Sequence, residues 1–465
     1  MSEKVYRFLC NDIGIYEEVD KQCSRDDKRR NNKPDGSWLP KVGEKYPNSI
    51  SFWKEAGLEK YSNSGLKDWH YSVVDGLGTL LIAEMPKDFL YEDEFQVICN
   101  IDSVEIVKKY SFKYEGPRPA EKKKYDDRPS FIRHHSYLRD WNAYAAYSDS
   151  NETFSLVSSI GKDLGLKRIG IHHEILKPGK RSSWPHAHKV EEELVYVLKG
   201  NPDIWVNGKV YNARIGDAIF FPPGTNLAHT IINNTESNIE LMVLGEQNID
   251  DDLIYYPLHP KRNLECKNQG FLWEDFPIQK LADHNGLAKS DINRESETWE
   301  YQKNWKDVEE KKIGGLDNEL KIFYKFRDLG RTLGAKKVAL HRVELPSGFR
   351  SSLPHAESIE EEFLYVLKGS PIVWINGKRY LLKEGDSVAF PSGTGIAHSF
   401  INESNDDVLL LVSGETSKKE NRCSFPVNPE EKEFCNIWWD NPPIHEIGND
   451  SPLPIKSDKK GRPNK

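Results

Sequence analysis

Three imidazoles and one carboxylate stand close together in the chain: His186, His188, Glu193 and His229. His186 and His188 are two residues apart, so on a strand both side chains point to the same face. Glu193 opens the apolar run ELVYVL, and His229 opens another such run after the turn Pro222-Pro223-Gly224. If the shared face is the inside of a barrel, the four side chains converge. Three neutral imidazoles and a carboxylate suit Mn, Fe, Co, Ni, Cu or Zn, and they leave positions open on an ion that prefers six ligands. A water, a substrate carboxylate or dioxygen could bind at such positions. One divalent transition metal, Fe, Mn, Ni or Zn, is therefore expected here, with no choice among them legible.

The elements that must position these residues read as strands. Short apolar runs rich in Val, Ile, Leu, Tyr and Phe are punctuated by turn signals about every eight to twelve residues, which is the pattern of an all-β sandwich or barrel. ELVYVL ends at Lys199-Gly200, DIWV ends at Asn207-Gly208, and AIFF ends at the Pro-Pro-Gly turn. Asn-Gly is the favoured type I′ hairpin turn.

The same pattern occurs twice. WPHAHKVEEELVYVLKG (184–200) returns as LPHAESIEEEFLYVLKG (353–369), an offset of 169 residues that holds from Gly165 and Gly334 to Pro260 and Pro429 without an insertion. A register kept over that length points to duplication of one domain. The second copy retains His355, Glu362, His398 and Asn376-Gly377, but Glu357 stands where the second histidine would be. Two histidines and two glutamates still make a candidate second metal site. Without an ion, two carboxylates in one barrel would repel and take up protons.

HAHKVEEE with LVYVLKG, followed by GDAIFFPPGTNLAH and Asn233, resembles the two signature motifs of the cupin superfamily. Gly179, His186, His188, Glu193 and Gly200 match the first motif; Gly216, Pro222, Gly224, His229 and Asn233 match the second. Gly179 is one residue early and His229 two residues late against the commonest spacing, which are changes of loop length. The wording around both motifs resembles uncharacterised single-domain cupins, which supply no reaction. The resemblance implies a mainly β fold of two tandem cupin barrels (double-stranded β-helix, jelly-roll) and a metal held by His186, His188, Glu193 and His229. It also implies that the two barrels pair within the chain, burying edge strands. Homo-oligomers are left open.

Other residues have plainer readings. Glu191 and Glu192, like Glu360 and Glu361, are expected in a solvated turn; His172 and His341 in packing; Trp205 and Trp374 in the core. Residues 1–115 are expected to form a small α+β module. Their Arg7, Ser51 and Glu92/Glu94 follow the Arg, Ser, Glu-x-Glu order of ADP-ribosyltransferase folds, a match too short to carry weight. A linker is expected at 116–130, where three prolines flank a lysine run, then the first cupin domain at 131–285, the second at 286–446, and a disordered tail at 447–465.

A net charge of −8 and a pI near 6.0 argue against nucleic-acid binding, which needs a basic surface. The N-terminus lacks the apolar core of a signal peptide and no run approaches a membrane span, so a cytoplasmic protein is expected. Six dispersed cysteines without a CxxC pair are expected to be reduced thiols. The functional expectation is a metal-dependent dioxygenase, decarboxylase or isomerase acting on a small polar or carboxylate-bearing molecule. The alternative is a non-catalytic small-molecule-binding or regulatory protein, and a storage-like bicupin ranks third.

Overall fold

Asn207 and Asn376 take φ of 45° and 44°, and the glycines after them take 85° and 78°, so both Asn-Gly pairs turn their hairpins in the left-handed conformation that type I′ requires. The computed structural model containing these turns describes residues 3–10, 13–22, 49–63, 66, 69–70, 77–100, 103–113, 129, 131–135, 150, 152–247, 251–288, 292–315, 319–433 and 435–454. Except for Pro129, the expected linker lies outside them. Two compact units divide the chain, Met1–Asp126 and Asp127–Lys465.

The first unit is an α+β module. Its antiparallel sheet runs in the order Tyr91–Glu92, Gln96–Cys99, Ile50–Trp53, Lys4–Cys10, Leu77–Glu84, Ile106–Lys113. Helices Ile15–Gln22 and Glu55–Asn63 help enclose a core that contains Phe8, Trp53, Tyr61 and Trp69. Arg7 Nη1 donates to the Ser51 carbonyl at 2.9 Å and its Nη2 to Glu17 at 3.0 Å, whereas Glu92 accepts from Lys54 at 2.8 Å. Arg7 and Glu92 thus have separate partners.

The second unit holds two β-barrels, each closed by a larger and a smaller antiparallel sheet. Strand Glu193–Lys199 shows why the runs read as continuously apolar: both of its faces are covered. Val195 and Val197 point into the first barrel with Ile204, Ile219, Ile231 and Leu241. Leu194 and Tyr196 point to the second barrel, packing with Ile169, Ile171 and Leu244 against Val338, Leu340, Phe363 and Leu411.

Each barrel borrows its edge strand from the segment that leads into the other. Ile132–His134 pairs with Asp386–Phe390 of the second barrel, and Gln302–Asn304 pairs with Asp217–Phe221 of the first. An unpaired edge is thereby covered on both sides of the pair. Linear cuts at 130 and 285 assign each of these segments to the barrel that it does not complete.

Glu192 and Glu361 correct the reading of a solvated turn: they are 4% and 1% exposed. Glu192 accepts the backbone N–H groups of Lys336, Lys337 and Val338 at 2.8 to 3.2 Å. Glu361 accepts those of Lys167, Arg168 and Ile169 at 2.9 to 3.2 Å. Lys337–Glu246 and Arg168–Glu415, at 2.8 and 2.6 Å, repeat the same exchange outside them.

Trp205 and Trp374 are buried as expected, and the indole N–H of each is capped by a following segment, at the carbonyls of His284 (2.8 Å) and Asp450 (2.7 Å). Residues 447–450, expected to begin a disordered tail, instead run against the second barrel, with Gly448 N–H on the Asn376 carbonyl at 2.8 Å. Among the described residues no helix is long and apolar enough to cross a membrane, and Cys99, Cys266, Cys423 and Cys435 are thiols outside any disulfide.

Candidate metal centre

A β-bridge sets the first site. His186 and His229 exchange backbone hydrogen bonds at 3.2 and 2.9 Å, which brings their rings to 5.0 Å. Glu193, at the head of its strand, places Oε2 at 3.4 Å from His229 Nε2. Ligand atoms of His186, Glu193 and His229 all lie within 4.8 Å of one another. Phe221 stacks on the His229 ring at 3.6 Å and 6°, holding its orientation.

His188 stands beside this trio with its ring 5.0 Å from that of His186, and its Nδ1 is 2.6 Å from Asp252 Oδ2. It forms a second convergent group with Glu191 and Asp252. The structure therefore brings three of the four expected ligands into one cluster and anchors the fourth at its margin through a residue that the sequence reading missed. Asp252 follows the second motif on a loop, outside either signature. Its signal lies in the repeat: 169 residues on stands Asn421, which donates to Glu357, the residue that replaces His188. The histidine–aspartate pair of one barrel is a glutamate–asparagine pair in the other.

The donor set fits an ion. His186 Nδ1 donates to the Trp184 carbonyl at 2.7 Å, His188 Nδ1 to Asp252 at 2.6 Å, and His229 Nδ1 to the Leu227 carbonyl at 3.1 Å. These oxygens can only accept, so each Nδ1 carries a proton and Nε2 is the nitrogen left to ligate an ion. Burial, then the neighbouring His188 and His229, lowers His186 to about 3, so this ring is neutral. Burial would lower His188 as well, but the Asp252 hydrogen bond and then Glu191 raise it to about 9. Burial would raise Glu193, yet His229, followed by His186 and His188, brings it down to about 2.

In the second barrel His355, Glu362 and His398 also converge within 4.8 Å, with His398 Nε2 at 2.8 Å from Glu362. Glu357 accepts at Oε2 from Asn421 and the Cys423 thiol, the latter at 3.2 Å, and keeps Oε1 3.7 Å from His355 Nε2. The expected repulsion of two carboxylates does not protonate Glu362: burial pushes it up, but His398 and then His355 hold it at about 2.

The first site opens on a cavity of about 670 Å³ lined by Val157, His172, Glu174, His186, Glu191 and Glu193 among others. His172 thus lines the chamber, where packing was expected. Glu174, on strand Ile169–Leu176 and outside both motifs, was missed. It is buried and accepts from Ser155 Oγ at 2.6 Å. In the second barrel the counterparts of Ser155, Val157 and Glu174 are Tyr324, Phe326 and Val343, which pack into that barrel's apolar cluster.

A fourth convergence, of His135, His173 and Glu240, lies between the barrels. The His135 and His173 rings are stacked at 4.3 Å and 5°. Parallel rings aim their lone pairs along parallel lines, so one ion cannot lie in both planes.

A model of the cupin domain matches residues 172–245 and again 341–414. No curated protein shows significant sequence similarity to the chain. Among solved structures, a serine-to-alanine variant of Bacillus subtilis oxalate decarboxylase aligns at 14% identity and TM-score 0.39, covering 63% of this chain and 78% of that one. Oxalate decarboxylase from Bacillus subtilis at pH 4.6 aligns at 16% identity and TM-score 0.37, covering 61% and 75%.

Proposed function

This chain is a duplicated cupin, and from that premise we propose that its first barrel is the site of a metal-dependent enzyme acting on a small polar molecule, with the second barrel as its structural partner. His186, His188, Glu193 and His229 hold the ion in this reading. The observation that carries it is the convergence of the His186, Glu193 and His229 donors, with His188 tethered beside them, on the wall of a cavity of about 670 Å³. A bound divalent ion would polarise a substrate oxygen there, and its redox character would decide among dioxygenase, decarboxylase and isomerase chemistry. The chain's own part is to orient the imidazoles with Nδ1 engaged behind them, to exclude bulk water with Val157, Val195, Ile231 and Val243, and to offer carboxyl and imidazole groups on the wall. In the second barrel, Tyr324 and Phe326 fill the corresponding space and one Glu357 oxygen is taken by Asn421.

Metal content per chain, measured on protein purified without a metal-affinity tag, tests this. About one equivalent of Fe, Mn, Ni or Zn is expected, lost in His186→Ala and kept in His355→Ala. A wild type that cannot be loaded would overturn the reading. A non-catalytic binding protein is the second reading, favoured by the absence of lysine and arginine among the residues lining the cavity. Metal-dependent ligand binding without turnover would select it.

A further inference from the structure

We propose that the Glu174 carboxyl selects the ligand of the first-barrel chamber, and that the chamber takes an uncharged molecule bearing carbonyl or hydroxyl oxygens instead of a dicarboxylate. This rests on the reading of that chamber as the functional site.

Three observations lead to it. Glu174 lines the same cavity as the ligand candidates His186 and Glu193, on the inward face of strand Ile169–Leu176. It pairs in register with Val157, and Ser155, one strand over, donates to its Oε2 at 2.6 Å. That bond occupies one carboxyl oxygen and leaves the other for a ligand. Burial, outweighing the opposing Ser155 bond, raises the Glu174 carboxyl to about 7, with Glu193 adding to the rise, so the acid form persists close to neutrality.

The second observation is the charge of the wall. Glu174, Glu191, Glu193 and Glu246 are all on it, and no lysine or arginine is among the residues lining it. Such a wall offers a dianion no lysine or arginine countercharge for its lost hydration, and its four carboxyl groups repel it. A neutral oxygen, by contrast, can accept from the Glu174 carboxyl without a countercharge.

The third is the duplicate. The fold does not need a carboxyl at this position, because the second barrel builds the equivalent strand, Val338–Leu345, with Val343, and fills the neighbouring space with Tyr324 and Phe326. A buried carboxyl disfavours folding relative to a valine. Its retention in the barrel that has the cavity and the third histidine, and its replacement in the other, ties Glu174 to the chamber's ligand.

Malonamide and malonate share a skeleton and differ in charge, so calorimetric titration of both into the full chain, with and without loaded Mn(II), tests the inference. Malonamide is expected to bind at least ~tenfold more tightly than malonate. Glu174→Val, which copies the second barrel, is expected to fold, keep its Mn(II) and lose at least ~tenfold in malonamide affinity, while Glu174→Gln, a neutral donor, restores most of it. Malonate binding as tightly as malonamide, equal losses in the Gln and Val variants, or no malonamide binding would each overturn the inference. Failure of the metal reading appears separately, as a wild type that takes up no Mn(II) while its preference for malonamide persists.

Discussion

A histidine ligates through whichever nitrogen its other partner leaves available, so the residues behind the imidazoles matter as much as the imidazoles. For His186 and His229 those partners are carbonyls of their own local turns, Trp184 and Leu227, and no side-chain substitution removes them. For His188 the partner is the Asp252 carboxylate, which also gathers the N–H groups of Val190 and Glu191 at 2.9 and 3.0 Å. Asp252→Asn keeps the size and one carbonyl acceptor but loses the charge that fixes the tautomer. We expect it to weaken metal affinity by ~10- to 100-fold with little change in far-UV circular dichroism. A metal titration with a competing chelator reads this directly, and an unchanged affinity would place His188 outside the ligand set. His188 was legible from its spacing to His186, whereas Asp252 was not, since 64 residues separate the two and nothing local links them.

Strand Glu193–Lys199 and its duplicate Glu362–Lys368 were legible as elements because their apolar runs end at Lys-Gly turns. The glutamates just before them were misread because a run of three acidic residues resembles a solvated turn. The difference lies in what each successive side chain meets. Glu193 faces the first barrel's interior, while Glu192 meets three N–H groups at the start of strand Val338–Leu345 that have no strand partner of their own. Glu192→Ala or Glu361→Ala leaves such a set of N–H groups buried beside an apolar interface. Each is expected to lower stability by ~1–3 kcal/mol, read as a lower urea midpoint with an unchanged slope. A change within error for both would mean that water replaces the carboxylates and that the interface is held by its apolar contacts alone.

At the scale of the whole chain, the two barrels are not beads on a string, because each is completed by a strand that lies before the other in sequence. Ile132 is fully buried in the second barrel's core although it precedes the first barrel. Ile132→Ala is therefore expected to cost ~2–5 kcal/mol, and to act on the second barrel. Hydrogen exchange locates the effect: protection should fall along Asp386–Phe390 and persist along Asp217–Phe221, whose edge is covered by Gln302–Asn304. Equal loss on both strands would show instead that the barrels unfold as one cooperative unit.

The sequence by itself determined the β class, the duplication and the identities of the metal-ligand candidates. These follow from short-range rules: a period of two puts His186 and His188 on one face, Asn-Gly closes a hairpin, and a constant offset of 169 residues marks a copied domain. Tertiary structure alone decided that Asp252 stands behind His188, that Glu174 and His172 face the chamber, that Glu192 and Glu361 reach across to the opposite barrel, and that the leading strands are exchanged. Each of these depends on closure of a barrel or docking of one barrel on the other, which brings together residues between 19 and 250 positions apart. Side-chain periodicity tells which face a residue takes, but the neighbour awaiting it on that face is set by how the sheets close.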